Sequence, residues 1–520
     1  MSKRFLAGLL ACASALGCMP AQARASIEVS GVVYLEQDGR PGRGSNDPGL
    51  AGVLVSDGEE LVRTDAQGRY RLQARPGRTV FVVKPAGHRF VPGRDGLPAF
   101  WARVPANGSR FAADFALLPG DPQQRFEALV FTDTQVKNER DIGYYQRAIV
   151  EPLGRPDAAM GVTLGDLVND RTDLYPALNR VTTRLGVPWF HVPGNHDLDE
   201  GVSDEAALGA WSRTFGPDTY AVEEGAAAFV LLDDVVVTPG EGVGYAGGLR
   251  EDQFRFIERY VAQLPRDRLL VLGMHIPLFD RNAHGAFRAA DRERLFALLG
   301  QHPRVLVLSG HNHAQHHHWH GPADGWHGEV PLHEYNVGAI CGAFWSGAPD
   351  ARGIPDSTMS DGTPIGHAVL SVEADGSYAL AWRPARATGE DPAFTTAMAL
   401  HAPKVLRRGA YPSYGVFANV FMGDADTRVE YRIDGGPWKP MRRVERPDPR
   451  LLVENVADDL APALRGYDRS PEAKASTHLW RGALDTRLAA GEHVVEVRAF
   501  DRWQGEAVAS TRYRLEEAQP

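Results

Sequence analysis

The chain has 520 residues, 43% of them hydrophobic, so it can bury a large core and should divide into several domains. Its formal net charge is −10 and its pI is about 6.0. Proteins that bind nucleic acids in general present a basic face, so this charge argues against that function class.

The first 25 residues have the pattern of a secretory signal peptide. Two basic residues precede an apolar stretch from Phe5 to Leu16, which is too short to span a bilayer. Small residues then offer cleavage near Ala23 or Ala25, and a lipoprotein cleavage site at Cys18 is the alternative. We therefore predict a periplasmic or secreted protein without a transmembrane span.

Residues 26–120 read as short alternating strands separated by turns. The runs Glu28–Tyr34 and Thr79–Val83 are strand-like, and Asp57-Gly58 and Pro76-Gly77 are turn pairs. This pattern predicts an N-terminal β-sandwich. Residues 62–72 resemble the transthyretin-like sandwiches that are attached to many exported enzymes.

Residues 121–347 pair strand-like apolar runs with residue types that bind metals. Helical spacing between the runs, as in Phe254, Ile257 and Val261, predicts an α/β arrangement of alternating strands and helices. An open sheet delivers side chains to one edge where its strands end, so distant ligands can converge there. The polar residues that follow the runs are, in chain order, Asp133, Gln135, Asp166, Asn195, His196, His275, His311 and His313.

These residue types fit a centre of two divalent ions about 3.5–4 Å apart, which can polarise a phosphoryl oxygen and activate water. Asp166 is the candidate carboxylate that bridges both ions, and His196 is the candidate acid for the leaving alkoxide. Mixed nitrogen and oxygen ligands suit manganese, iron or zinc. The other candidates form two groups, Asp133, Gln135 and His313 for one ion and Asn195, His275 and His311 for the other.

From about residue 126 to residue 342, the motifs resemble in order those of the calcineurin-like metallophosphoesterases. The matching motifs are Asp133-x-Gln135, Gly165-Asp166, Gly194-Asn195-His196-Asp197, His275 and Gly310-His311-x-His313. The resemblance implies a four-layer α/β/β/α sandwich. It also implies a metal-dependent hydrolase of phosphomonoesters or phosphodiesters, with attack by a metal-bridging hydroxide, catalytic roles for His196 and Asp166, and substrate binding by Asn195 and His196.

Two positions depart from the family pattern. Gln135 stands where the family usually has His, as in some branches that carry Asp-x-Gln. The acidic residue that orients the catalytic His is replaced by Asn169, with Asp170 next to it, and either could serve His196. Gln135 also supports an alternative function, a catalytically weakened protein that binds glycans or envelope components at the cell surface.

Residues 348–520 return to short strands and predict a mainly-β C-terminal domain. The order of β-sandwich, phosphoesterase centre and β domain resembles a bacterial branch of the family. The substrates of this protein would be small-molecule, lipid or sugar phosphoesters. Cys341 is the single cysteine after the signal and is expected to be buried rather than catalytic.

A histidine cluster follows the last motif. His316, His318 and His320 alternate and would share one strand face. Because no carboxylate accompanies them at fixed spacing, we interpret them as a rim of the active-site mouth rather than as another metal site.

Overall fold

The structure is a computed structural model that describes residues 26–518 except 38, 40–41, 122–123, 200, 241–243, 281–284, 386–390 and 412–413. The predicted signal peptide, its cleavage sites and Cys18 lie outside the described residues. In the described part of the chain, no helix is both long and apolar enough to cross a membrane.

Two small sheets form the N-terminal sandwich. In the strand Arg69–Ala74, the buried residues Tyr70, Leu72 and Ala74 alternate with exposed ones, as expected for a strand with one face in a core. The first sheet has the order Arg69–Ala74, Ile27–Leu35, Phe115–Pro119 and His88–Phe90, with Arg110–Ala112 also paired to Ile27–Leu35. The second has the order Leu61–Arg63, Leu54–Ser56, Thr79–Val82 and Trp101–Arg103.

Two larger sheets form the centre of the molecule. The strands that precede the metal-ligand motifs are parallel and almost wholly buried, which suits sheets covered on both faces. The first sheet has the order Trp189–Val192, Met160–Leu164, Phe126–Phe131, Gly366–Val372 and Tyr378–Pro384. The second has the order Thr219–Glu224, Ala227–Leu232, Leu269–Gly273, Val305–Ser309, Leu332–Asn336 and His316–His320.

Among the described residues, six of the seven α-helices lie along the chain between strands of the two central sheets, and Pro449–Asp459 lies among the C-terminal strands. Asn138 caps the first helix by accepting from the N–H groups of Arg140 and Asp141, as an N-cap asparagine should. The α-helices are Glu139–Tyr145, Glu151–Leu153, Tyr175–Thr182, Gly209–Thr214, Glu251–Val261, Ala289–Leu299 and Pro449–Asp459, with a π-helical turn at Gln146–Val150. Short 3₁₀ turns lie at Thr172–Leu174, Thr183–Leu185, Asn195–Asp197, Asp204–Ala206 and Pro322–Asp324.

Aromatic contacts show how the layers pack. Phe131 of the first sheet meets Tyr145 of a helix, and Phe126 meets Phe229 of the second sheet, with ring centroids 6.4 and 6.3 Å apart. The predicted fold class, an α/β core flanked by an N-terminal β-sandwich and a C-terminal mainly-β domain, is confirmed.

The C-terminal strands have a hydrophobic core of their own, which includes Val416, Val495 and Val497. One sheet has the order Met398–His401, Gly415–Val420, Leu479–Ala483 and Arg442–Arg443. The other has the order Val405–Arg407, Gly505–Glu516, Gly491–Asp501, Arg428–Ile433 and Lys439–Pro440. Short two-stranded ladders pair Val235–Val237 with Tyr245–Gly247 and Arg446–Pro447 with Ala475–Ser476.

A hairpin from beyond residue 347 completes the first central sheet. Gly366–Val372 pairs antiparallel with Phe126–Phe131, and Tyr378–Pro384 pairs with Gly366–Val372. The predicted domain division at residue 347 stays a prediction. We propose that the catalytic domain includes this hairpin, because its main-chain hydrogen bonds belong to the central sheet.

Candidate metal centre

The candidate ligands lie on loops at the carboxyl ends of the central strands. Asp133 follows Phe126–Phe131, and Asp166 follows the neighbouring parallel strand Met160–Leu164. A main-chain hydrogen bond ties the two loops together, since the Asp133 N–H donates to Gly165 O over 3.0 Å. The parallel pairing therefore brings the two carboxylates to the same edge of the sheet.

The backbone of these loops is left-handed at several non-glycine residues, a conformation that costs about 1–3 kcal/mol each and persists only where the surroundings impose it. The residues with φ between 43° and 72° are Asp133, Gln135, Asp166, Asp170, His311 and His313. Such clustering is typical of functional sites, where the position of the side chain matters more than the strain in the backbone.

Two glycines allow these loops to approach closely. A Cβ atom on Gly194 would lie 2.3 Å from Asp166 Oδ1, and one on Gly165 would lie 2.4 Å from His275 Nδ1. Both distances are far inside van der Waals contact, so any other residue would displace a candidate ligand. The glycines of the Gly-Asp and Gly-Asn-His-Asp motifs thus serve the packing of the centre.

The His275 group, which consists of Asn195, His275 and His311, converges on one point. His275 Nε2 lies 3.2 Å from Asn195 Oδ1, 3.2 Å from His311 Nδ1 and 3.4 Å from Asp166 Oδ2. Atoms of Asp166, His275 and His311 that could bind a metal all lie within 4.8 Å of one another.

The tautomer of His275 shows which of its nitrogens could bind a metal. His275 Nδ1 lies 2.8 Å from Leu164 O, a main-chain acceptor, so Nδ1 carries the proton. Nε2 of the neutral ring then has a lone pair that faces the carboxylate of Asp166, the amide oxygen of Asn195 and the second imidazole. Such a set of acceptors requires a cation or a proton among them, and a main-chain bond to the far nitrogen is the usual support of a metal-bound histidine.

The electrostatics of the protein alone favour positive charge at this point. Burial acts to lower the pKa of His275, but the carboxylates of Asp166 and Asp133 outweigh it and raise that pKa to about 10. Burial and the neighbouring His275 lower the pKa of His311 to about 4. Positive charge is therefore favoured beside His275, where a divalent ion would also be stabilised.

The Asp133 group consists of Asp133, Gln135 and His313. Asp133 Oδ2 accepts from Thr132 Oγ1 and from the His311 N–H, whereas Oδ1 is buried and has no hydrogen-bond partner among the described residues. His313 Nε2 lies 3.3 Å from this Oδ1 without hydrogen-bond geometry, and His313 Nδ1 is bonded to Gly342 O at 2.6 Å. An orphaned carboxylate oxygen beside a fixed imidazole nitrogen fits a metal site.

Gln135 is buried in this group, but its amide oxygen points away from the other ligands. Its Nε2 lies 3.4 Å from Asp166 Oδ2, and its Oε1 lies 3.7 Å from the buried thiol of Cys341. A half-turn of the amide would exchange the two atoms. The structure thus brings Gln135 to the centre, and its role as a ligand stays a prediction.

The partner of His196, which the sequence left open, is Asp170. His196 Nδ1 lies 2.8 Å from Asp170 Oδ1, while the Asn169 side chain donates to Asp170 over 3.3 Å. The His196 side chain is 31% exposed, so its other nitrogen can reach a bound molecule.

Two buried carboxylates that sequence reasoning left unassigned support the loops. Asp197 accepts from the N–H groups of Leu167 and Gly194, and burial and the nearby Asp166 raise its pKa to about 7. Asp234 accepts from the His275 N–H over 2.9 Å, and burial raises its pKa to about 8. Asp197 could have been found as the last residue of its motif, and Asp234 as the second of two carboxylates after an apolar run.

Aromatic side chains border the centre. The Phe344 ring lies 4.4 Å from the ring of His313 and is 45% exposed, and Tyr245 meets His311 edge-on at 6.1 Å. Trp345 anchors the same loop, because its Nε1 donates to Thr134 O over 3.0 Å.

Family models match three consecutive parts of the chain. The N terminal of calcineurin-like phosphoesterase matches residues 38–119, calcineurin-like phosphoesterase matches 126–315, and the C terminal of calcineurin-like phosphoesterase matches 334–506. The chain belongs to the calcineurin-like phosphoesterase family. The predictions of this family and of a phosphoric ester hydrolase are confirmed.

Three proteins that resemble parts of the chain are at most 26% identical to those parts. The probable glycerophosphodiester phosphodiesterase GpdQ of Arcobacter nitrofigilis is 26% identical over 195 residues, which are 35% of this chain and 70% of that protein. Purple acid phosphatase PPD1 from yellow lupin (Lupinus luteus) seeds has 15% identity, covers 64% of this chain and 67% of its own, and has a TM-score of 0.36. TT1561 of Thermus thermophilus has 12% identity, covers 50% of this chain and 99% of its own, and has a TM-score of 0.29.

Proposed function

We propose that this phosphoesterase hydrolyses phosphodiesters of small alcohols and requires two divalent metal ions. The observation that carries the metal requirement is the meeting of four potential ligand atoms at His275 Nε2. Preference for diesters is supported by the relative from Arcobacter nitrofigilis.

The residues of the two groups would hold the ions, Gln135 only if its amide made a half-turn, and Asp166 is the candidate bridge. Its Oδ2 faces both His275 and Gln135, at 3.4 Å from a nitrogen of each, so it borders both groups. Its Oδ1 accepts from the His196 N–H over 2.9 Å, which fixes the carboxylate in one orientation. When bound, a pair of divalent ions would polarise the phosphoryl oxygens and provide a nucleophile at neutral pH; manganese, iron and zinc all suit these ligands.

His196 is the proposed general acid. Its Nδ1–H donates to Asp170, so a second proton on Nε2 makes an imidazolium that the Asp170 carboxylate stabilises. In the reaction this Nε2 proton moves to the alcohol oxygen as the bond from phosphorus to that oxygen breaks. Asn195, on the same turn, is proposed to contact the phosphate.

Export forms a further part of the proposal. The basic pair and the apolar stretch from Phe5 to Leu16 support secretion to the periplasm or outside the cell. Phosphodiesters released from lipids or sugars would then be the accessible substrates.

The test compares diester and monoester hydrolysis by the purified full chain with added manganese, iron or zinc. Bis(p-nitrophenyl) phosphate should be hydrolysed at least about tenfold more efficiently than p-nitrophenyl phosphate, and His311→Ala should remove that activity and one or both ions. His88→Ala, a remote histidine on the N-terminal sandwich, is the matched control.

The outcomes separate the parts of the proposal. Faster hydrolysis of the monoester would overturn the diester preference but leave the metal centre standing. A well-folded chain without turnover and without bound metal would instead support the alternative of a surface protein that binds glycans or envelope components.

A further inference from the structure

The edge strand of the second central sheet carries a group of histidines apart from the candidate metal centre. His316–His320 pairs antiparallel with Leu332–Asn336, and His318 lies directly opposite Glu334. Residues that lie opposite each other in an antiparallel pair project to the same face of the sheet. The sheet register thus places a carboxylate on the histidine face, which the sequence spacing did not indicate.

Glu334 fixes the ring of His320. His320 Nε2 lies 2.7 Å from Glu334 Oε2, and Glu334 Oε1 accepts from the Leu278 N–H and from Ser309 Oγ at 2.8 and 2.9 Å. The carboxylate is therefore held in place, and Nε2 of His320 carries a proton toward it. His320 Nδ1 is then left with a lone pair, and this fully buried ring has no partner for Nδ1 among the described residues.

His318 and Asp324 complete the group. His318 Nε2 is buried and has no hydrogen-bond partner in the described part of the chain, and it lies 3.7 Å from Asp324 Oδ2, beyond hydrogen-bond reach. Asp324 sits on the turn Pro322–Asp324 directly after the strand, where Oδ2 also accepts from the Gly321 N–H. One potential ligand atom from each of His318, His320 and Asp324 lies within 4.8 Å of the other two.

Packing alone does not account for this arrangement. Phe279 stacks against His318 and Phe296 meets His320 edge-on, which explains the burial of the rings but supplies nothing for their nitrogens. His316, on the same strand face, differs in that its Nδ1 lies 3.2 Å from Thr477 Oγ1. On this strand face, the buried ring nitrogens without a partner among the described residues belong to the two histidines that approach Asp324.

We propose that His318, His320 and Asp324 bind one divalent transition-metal ion such as Zn²⁺, in addition to the ions of the catalytic centre. Ligand atoms of a tetrahedral Zn²⁺ site lie about 3.3 Å apart, so the 3.7 Å between His318 and Asp324 needs only a small adjustment. Glu334 then acts as the carboxylate that orients a metal-bound histidine. The interpretation of these histidines as a mere rim of the mouth is replaced by this one, and the ion ties the turn after the strand to the strand itself.

The experiment counts metal ions per chain by mass spectrometry of the elements after the full chain has been loaded with Zn²⁺ and dialysed. His318→Ala and Asp324→Asn should each bind one ion fewer than the unmodified chain. Both side chains are partly exposed, 29% and 23%, so the variants should fold, which circular dichroism checks. His327→Ala is the control, because it removes an exposed histidine nearby that lies outside the group.

A spectroscopic measurement makes the result specific to this group. In a His311→Ala background, which weakens the catalytic centre, added Co²⁺ should give a ligand-field absorption band that His318→Ala removes and His327→Ala keeps. Equal Zn²⁺ content in all the variants, or a Co²⁺ band unaffected by His318→Ala, would overturn the proposal while leaving the phosphoesterase function untouched.

Discussion

The His275 group and the Asp133 group are built from similar residues but are organised differently. In the His275 group, an imidazole nitrogen faces two other ligands and Asp166 at 3.2–3.4 Å. In the Asp133 group, one carboxylate oxygen has no partner among the described residues, and the amide of Gln135 turns its nitrogen to the centre. The first group would accept a cation without rearrangement, whereas in the second the ligand role of Gln135 stays a prediction.

The two groups differ in how firmly their side chains are held in place. Sheet geometry and buried supports fix the His275 group, because the far nitrogen of His275 is bonded to the main chain of Leu164 and its N–H to Asp234. In the Asp133 group, hydrogen bonds fix Asp133 and His313 as well, and only the amide of Gln135 has an alternative orientation. We expect the two groups to respond unequally to substitution.

The largest effect is expected at Asp166, which borders both groups. Asp166→Asn should lower kcat/KM at least about 1000-fold, about 4 kcal/mol of transition-state stabilisation, because it removes the carboxylate charge that would hold both ions. Metal content should fall in the same variant. Asp173→Asn changes an exposed carboxylate paired with Arg171 and should leave both quantities unchanged. Retention of both ions and of activity within tenfold would refute the bridging role.

The next largest effect is expected at His196, which belongs to neither group. His196→Asn should slow a diester with an alkyl leaving group about 100-fold, and a p-nitrophenyl ester far less, because a good leaving group needs little protonation. Asp170→Asn should show the same dependence on leaving group with a smaller loss, since Asp170 acts through the imidazole. Equal losses for both kinds of ester would mean that His196 is not the acid.

Sequence patterns anticipated the two groups, the sheets and the flanking β domains, because apolar runs and the polar residues that end them are local features. The partner of His196 was not decided, since it depends on a left-handed turn with φ of 59° at Asp170. The sequence also did not predict that the hairpin of residues 366–384 joins the first sheet, or that Glu334 pairs with His318. Both features depend on which strands pair with each other in the sheet, and the spacing of residues along the chain does not indicate strand pairing.

A third prediction concerns the strand that leads to Asn195 in the His275 group. His191 on this strand is buried, neither ring nitrogen has a hydrogen-bond partner among the described residues, and burial lowers its pKa to about 3. The unfolded chain, with a pKa of about 6.5, binds this proton first, so stability should be lost as the pH falls below that value.

Comparison of the unmodified chain with His191→Phe isolates this contribution. The free energy of unfolding of the unmodified chain should fall by about 2 kcal/mol more than that of His191→Phe between pH 7 and pH 5. Denaturant unfolding at the two pH values measures the difference. Parallel pH dependences would show that His191 is not held neutral by burial.

The smallest effect is expected at Gln135, where the two groups differ most. As oriented, its amide donates one long hydrogen bond to Asp166, which contributes at most about 1 kcal/mol, so Gln135→Ala should lower activity less than about fivefold and leave two ions bound. Loss of one ion in Gln135→Ala would mean that the amide turns its oxygen to the metal. Gln135→His offers the complementary test, because an imidazole here should raise the metal affinity of the Asp133 group toward that of the His275 group. If it does not, the backbone around Asp133, and not the amide, sets the metal affinity of this group.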